Sequence, residues 1–137
     1  MKLYHHDLFV CELDDAWWEE AGMEGFVPKN PAYRSDPNQA EGEEILEINI
    51  NEVKPVFRHR GLKIFNDSNE YGTAKTRVIR ILRWFIADTA IEPVKIAREP
   101  AGSDYPYRLL HGAHRFYCSV AAGFTHVPAI FSFDINA

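Results

Sequence analysis

The sequence predicts a small α/β domain, and three observations carry that reading. Residues Tyr107 to Phe131 read as strand, glycine turn, helix and strand: Tyr107, Leu109 and Leu110 precede Gly112, His114 to Ala122 can coil up to Gly123, and His126 to Phe131 is a short apolar run. Leu46, Ile48 and Ile50 alternate with Glu47 and Asn49, the period of a strand with one buried face. Val78, Ile81, Leu82, Phe85 and Ile86 recur at helical spacing behind Thr73 and Thr76, either of which can cap the helix, while Lys75, Arg77, Arg80 and Arg83 occupy its other side.

The remaining elements follow in chain order. Leu3, Leu8, Phe9, Val10 and Leu13 suggest a short strand, and Asp14 to Gly22 a short helix with an acidic first turn and a glycine stop. Trp17 and Trp18 point in different directions around that helix, so one is expected in the core. Gly25 to Gly42, with Pro28, Pro31 and Pro37, is a loop, as is Asn66 to Gly72. Between Leu46–Ile50 and the long helix, Val53 to Gly61 turns at Pro55 and carries Lys54, Arg58, His59 and Arg60, and Leu62 to Phe65 is apolar. After the helix, Pro93 to Ala97 is a strand and Pro100 to Asp104 a turn.

Length and composition bound the function. At 137 residues the chain is one domain, or one domain with an arm, able to bury roughly two thirds of its unfolded surface in a single core. With 46% apolar and 13% aromatic residues it is globular rather than disordered. Cys11 and Cys118 are too few for a disulfide scaffold and no signal peptide opens the chain, so the expected compartment is a reducing cytoplasm. The apolar run Ile79 to Ala87 is short and contains Arg80 and Arg83, which excludes it as a membrane span.

The net charge of −5 is unevenly spread: residues 1–53 sum to −10, residues 54–83 to +6 and residues 84–137 to −1. A basic middle beside an acidic arm suits self-association, steering of an anionic ligand, or two solvated faces. Overall acidity argues against strong sequence-independent DNA binding, though not against a local basic groove. His5, His6 and Asp7, with Cys11, invite a metal reading, but adjacent residues of a strand face opposite ways and no ligand spacing accompanies them. No metal site is assigned there.

The chemistry concentrates at Gly112-Ala113-His114-Arg115. The first amides of a helix lack intrahelical partners and lie at the positive end of its dipole, so an anion is favoured there. His114 adds a switchable imidazole and Arg115 a fork matched to phosphate oxygens. The plain alternative is a strand-to-helix turn whose arginine meets a surface carboxylate. His114 and Cys118, four residues apart, share a helix face; a reactive Cys118 would need a depressed thiol pKa and access to solvent, and the alternative is a small core residue.

Around this motif the run from Ile91 to Phe131, with Glu92-Pro93-Val94-Lys95-Ile96, Asp104-Tyr105-Pro106-Tyr107 and Gly112-Ala113-His114-Arg115-Phe116-Tyr117, resembles the core of the ParB and sulfiredoxin superfamily. Ile48 to Pro55 resembles its opening strand and "I-x-P" corner, so the likeness spans Ile45 to Phe133. The resemblance implies a small mixed sheet flanked by a few helices over residues 45–137, preceded by an acidic N-terminal extension, residues 1–44. It also implies a phosphate site: sulfiredoxins bind ATP phosphates with Gly-Cys-His-Arg, and ParB proteins cradle a nucleoside triphosphate with Gly-Glu-Arg-Arg. Gly112, His114 and Arg115 match.

Two positions depart from the pattern. Ala113 stands where sulfiredoxins carry their catalytic cysteine, which argues against sulfinic-acid reduction. His111 stands where free-serine kinases and many ParB-like nucleases of this fold carry an acidic residue. Lys75 lies one or two positions from where a nucleotide-approaching lysine of sulfiredoxin-like folds would align, and Arg58 and Arg60 are possible groove cations.

The expected function is therefore nucleotide-phosphate binding, with ATP and magnesium as ligands and hydrolysis or phosphotransfer as a possible activity. Gly112, Ala113, His114, Arg115 and Lys75 would hold phosphates, and His111 or Glu70 would serve as general base. Two alternatives stay open. One is a DNA-binding or DNA-cleaving protein using the Lys54–Arg83 segment; the other is a non-enzymatic module whose N-terminal extension binds a protein partner.

Overall fold

A computed structural model describes residues 1–55, 68–69 and 72–132. The chain opens with a hairpin, β1 (Lys2–His5) and β2 (Leu8–Glu12), followed by helix α1 (Asp15–Ala21). A 3₁₀ turn at Pro37–Gln39 leads to β3 (Leu46–Asn49) and a second 3₁₀ turn, Ile50–Glu52. The paired dipeptides β4 (Ser68–Asn69) and β5 (Gly72–Thr73) precede helix α2 (Ala74–Ala87). Strands β6 (Val94–Arg98) and β7 (Tyr107–His111), helix α3 (Ala113–Ala122) and β8 (His126–Phe131) complete the fold.

The central sheet has the order β3-β8-β6-β7. β8 runs antiparallel to β3 and parallel to β6, and β6 runs antiparallel to β7, so the sheet is mixed, as expected. The parallel pair requires a crossover, which β7 and α3 provide. Helix α3 lies on β6 and β8, α2 packs on α3, and α1 packs on α2. The core between these layers contains Val94, Ile96, Val127 and Ala129 from the sheet, and Val78, Leu82, Phe116 and Tyr117 from the helices.

Most helix boundaries fall where local chemistry puts them. Asp14 caps α1 by accepting from the Ala16 amide, and Thr73 caps α2 by accepting from the Thr76 amide. Gly22 and Gly123 close α1 and α3 in left-handed conformations. The buried stripe of α2 differs from the expected one: Ala74 and Ile79 are buried as well, and Ile86 is 47% exposed. Packing against both α1 and α3 widens the stripe toward Ile79, while Ile86 lies at the helix end.

The N-terminal region requires one correction. Residues 3–13 form a hairpin instead of one strand, because His6 and Asp7 adopt positive φ (52° and 61°) and reverse the chain between His5 and Leu8. Within residues 1–44, Leu3, Leu13, Ala21, Met23 and Tyr33 belong to the same buried cluster as the sheet and long helices. Both Trp17 and Trp18 are half-buried against that cluster. Leu62 to Phe65, Arg58, Arg60 and Glu70 lie outside the described residues, and part of the expected 66–72 loop is the β4–β5 pairing.

Candidate phosphate-binding cleft

The turn from β7 into α3 depends on Gly112. Its φ is +104°, and a Cβ there would lie 2.7 Å from Val94 Cγ1 and 3.1 Å from Arg115 Nη2. Both the backbone conformation and the close approach to β6 demand glycine. One consequence is that α3 has no side-chain cap. The other described helical segments each have one: Asp14, Asp36, Asn49 and Thr73 accept from amides at the starts of α1, Pro37–Gln39, Ile50–Glu52 and α2. The amide of Phe116 bonds back to Gly112 O, so those of Ala113, His114 and Arg115 precede the first helical bond.

These residues open into a cleft of about 680 Å³. Helix α2 lines it with Arg77, Arg80 and Trp84, β6 with Lys95, and β7 and the start of α3 with His111 through Arg115. Asp36 and Gln39 form part of another wall, brought there by the Ser35–Ile91 bridge and by reciprocal backbone bonds from Asp36 N to Ile91 O and Ile91 N to Arg34 O. Lys95 is tied to this segment by an ion pair with Glu41 (2.5 Å).

Arg115 has a structural task. Its Nη1 donates to the carbonyls of Glu92 and Pro93, both at 2.9 Å, and lies 3.5 Å from Glu92 Oε2. The side chain is only 17% exposed, so the guanidinium fastens the chain entering β6 to the start of α3. Tyr33 donates to the same Glu92 carbonyl at 2.7 Å, and burial pushes its phenol pKa up. The clamp thus joins the N-terminal segment, β6 and α3.

Of the residues expected at the site, His111, Gly112, Ala113, His114 and Arg115 line the cleft together; His111 is exposed at its lip and His114 is buried. Lys75 does not line it. Its Nζ lies 3.7 Å from Glu20 Oε1, in the groove between α1 and α2. Arg77 and Arg80, two and five residues farther along α2, line the cleft instead. Together with Lys95 and Asp36 they are the residues sequence reasoning left out, although the basic face of α2 was visible.

The cysteines are poor nucleophiles. Cys118 is fully buried in α3, and burial drives its thiol pKa strongly upward; burial pushes Cys11 up to about 11. His5 Nε2 lies 3.0 Å from Ile50 O and His6 Nε2 lies 2.6 Å from Asn51 O. Among the described residues no helix is long and apolar enough to cross a membrane.

No protein-family model matches this sequence, and no curated protein matches it significantly. The structure is similar to that of sulfiredoxin from Arabidopsis thaliana, with a TM-score of 0.46 and 14% sequence identity over 66% of this chain and 86% of that one. The likeness is one of fold. What the cleft can do chemically follows from its own residues.

Proposed function

We propose that the cleft at the start of α3 binds the phosphates of a nucleoside triphosphate. The observation that supports this most is the coincidence of an uncapped helix N-terminus with a wall of cations from two other elements, Arg77, Arg80 and Lys95. The amides and dipole of α3 would meet one phosphate, and the side chains of α2 and β6 would neutralise its neighbours. A magnesium ion arriving with the nucleotide would find the carboxylates of Asp36 and Glu92 in the cleft wall.

Binding is the core of the proposal, and hydrolysis or phosphotransfer is an extension of it. Phosphoryl transfer depends mainly on positioning and charge neutralisation, which the cations would supply, and exposed His111 is the group available to accept a proton. Ala113 brings no nucleophile, and buried Cys118 is no substitute for one.

The test is ligand stabilisation. ATP with magnesium, or another common nucleoside triphosphate, should raise the melting temperature by mass action. Arg80→Ala and Lys95→Ala should each weaken binding roughly tenfold, the loss expected for one charge-assisted contact. No shift with any common triphosphate at millimolar concentration would reject the reading. Phosphate release by the wild type, lost in His111→Ala with binding retained, would identify catalysis.

A further inference from the structure

A second groove continues from the cleft along α2. It encloses about 500 Å³ between α1 and α2 and is lined by Lys75, Thr76, Ile79, Arg80, Arg83, Trp84 and Glu20. Arg80 and Trp84 line both grooves, so the two depressions adjoin at these side chains. Lys75 and Arg83 lie eight residues apart on α2, about 12 Å along its axis. Glu20 is the acidic residue of this groove; its carboxylate is 3.7 Å from Lys75, and its carbonyl accepts from Arg83 Nη2 at 3.2 Å. Among the described residues, three cations and one carboxylate line it.

A mononucleotide occupying the cleft has no phosphates left for Lys75 and Arg83. A ligand whose charges repeat would use them. Trp84, half-buried where the grooves meet, offers an indole face between two cationic stretches, the combination that holds unpaired bases and their backbone together. A duplex fits this arrangement less well, because its bases are stacked on one another and unavailable to the indole.

We propose that the face of α2 bearing Lys75, Arg80, Arg83 and Trp84 binds single-stranded nucleic acid, with one phosphate at the start of α3 and the strand continuing over Trp84 into the α1/α2 groove. The inference rests on the phosphate reading of the cleft and extends it from a nucleotide to a strand. Lys75 and Arg83 act on the strand alone, whereas Arg80 and Lys95 act on strand and mononucleotide alike.

The test compares ATP, a fluorescent oligothymidylate of about ten nucleotides, the matching oligouridylate and a duplex of the same length. The full chain should bind at least one single strand more tightly than ATP and more tightly than the duplex, and the two single-strand arms tell DNA from RNA. The double variant Lys75→Gln/Arg83→Gln should lose roughly tenfold or more in strand affinity, leave ATP affinity unchanged, and reduce the salt slope by about 1.4, or 0.7 per counterion. Trp84→Leu should weaken the strand, with Trp84→Phe retaining a stacking surface and most of the affinity; a melting curve for each variant separates lost folding from lost binding. ATP binding with no tighter strand binding, or strand binding indifferent to Lys75, Arg83 and Trp84, overturns the track and leaves the phosphate cleft standing. Failure of both ligands overturns the cleft and the track together.

Discussion

Helix α3 has a sealed flank and an open end, and histidine serves a different purpose at each. On the flank, β1 packs against the helix and His5 is 2% exposed, its ring 5.5 Å from that of Phe116 and 6.1 Å from that of Tyr117. There the imidazole fills space and bonds once, to Ile50 O. At the N-terminal end, His111 is exposed at the lip of a cationic cleft and the first helical amides have no capping side chain. The flank is closed by packing, whereas the end opens into the cleft with Arg115 clamped beside it. The same residue type is therefore informative about function only when its surroundings are known.

Substitution of Gly112 should have the largest effect on this contrast. Gly112→Ala must hold φ near +104° and force a methyl to within 2.7 Å of Val94 Cγ1. Left-handed backbone and overpacking together predict a loss of about 3 kcal/mol, read as a lowered denaturation midpoint. If the variant melts like the wild type, the turn is more compliant than its geometry implies and the uncapped end is not enforced by sterics.

Arg115 comes next and sharpens the boundary between the two regions. A residue devoted to phosphate would be dispensable in the ligand-free protein. Two bonds to backbone carbonyls instead predict that Arg115→Ala lowers ligand-free stability by about 2 kcal/mol, because both part-buried carbonyls lose a charged donor and that of Glu92 keeps only its bond from Tyr33. Arg115→Lys should recover only part of this, since a single ammonium does not reproduce the fixed guanidinium geometry. Unchanged stability with sharply reduced nucleotide affinity would move Arg115 from the clamp to the ligand.

The contrast also explains what was legible in the sequence. Local signals were sufficient for α2, α3 and β8: Thr73 as a cap, glycine at 112 and 123, and apolar spacing at 78, 81, 82 and 85. The β1–β2 turn was not legible, because His6 and Asp7 take positive φ without the glycine that usually marks it. The cleft was half legible. His111 to Arg115 are contiguous, so one motif exposed them, whereas Arg80, Lys95 and Asp36 reach it through tertiary packing that no local pattern encodes. Lys75 and Arg80 both fall on the basic side of α2, about 140° apart around its axis, and the position of α1, with Glu20 near Lys75, decides which of them reaches the cleft.

The smallest expected effect is a pH dependence on the sealed side. Ile50 O accepts from His5 Nε2–H, and Nδ1 is buried without a hydrogen-bond partner among the described residues, so protonation would place a charge where none of them offers an acceptor. Burial lowers the pKa of His5 below its ordinary 6.5, the bond to Ile50 opposes that shift, and repulsion from His6, stacked 4.9 Å away, adds to it. The unfolded chain therefore binds a proton at His5 before the folded chain does. Stability from this group is complete above the unfolded pKa of 6.5 and falls as the pH drops from there toward the lower folded value. Urea midpoints of the wild type should decline between about pH 7.5 and about pH 5.5, and His5→Gln, which keeps an N–H donor but cannot titrate, should decline less. Because His6, His59, His111, His114 and His126 remain in both proteins, the difference between the two curves isolates His5. Parallel curves would mean that the ring is protonated as readily in the folded protein as in the unfolded one, and that the flank of α3 is no more sealed than its open end.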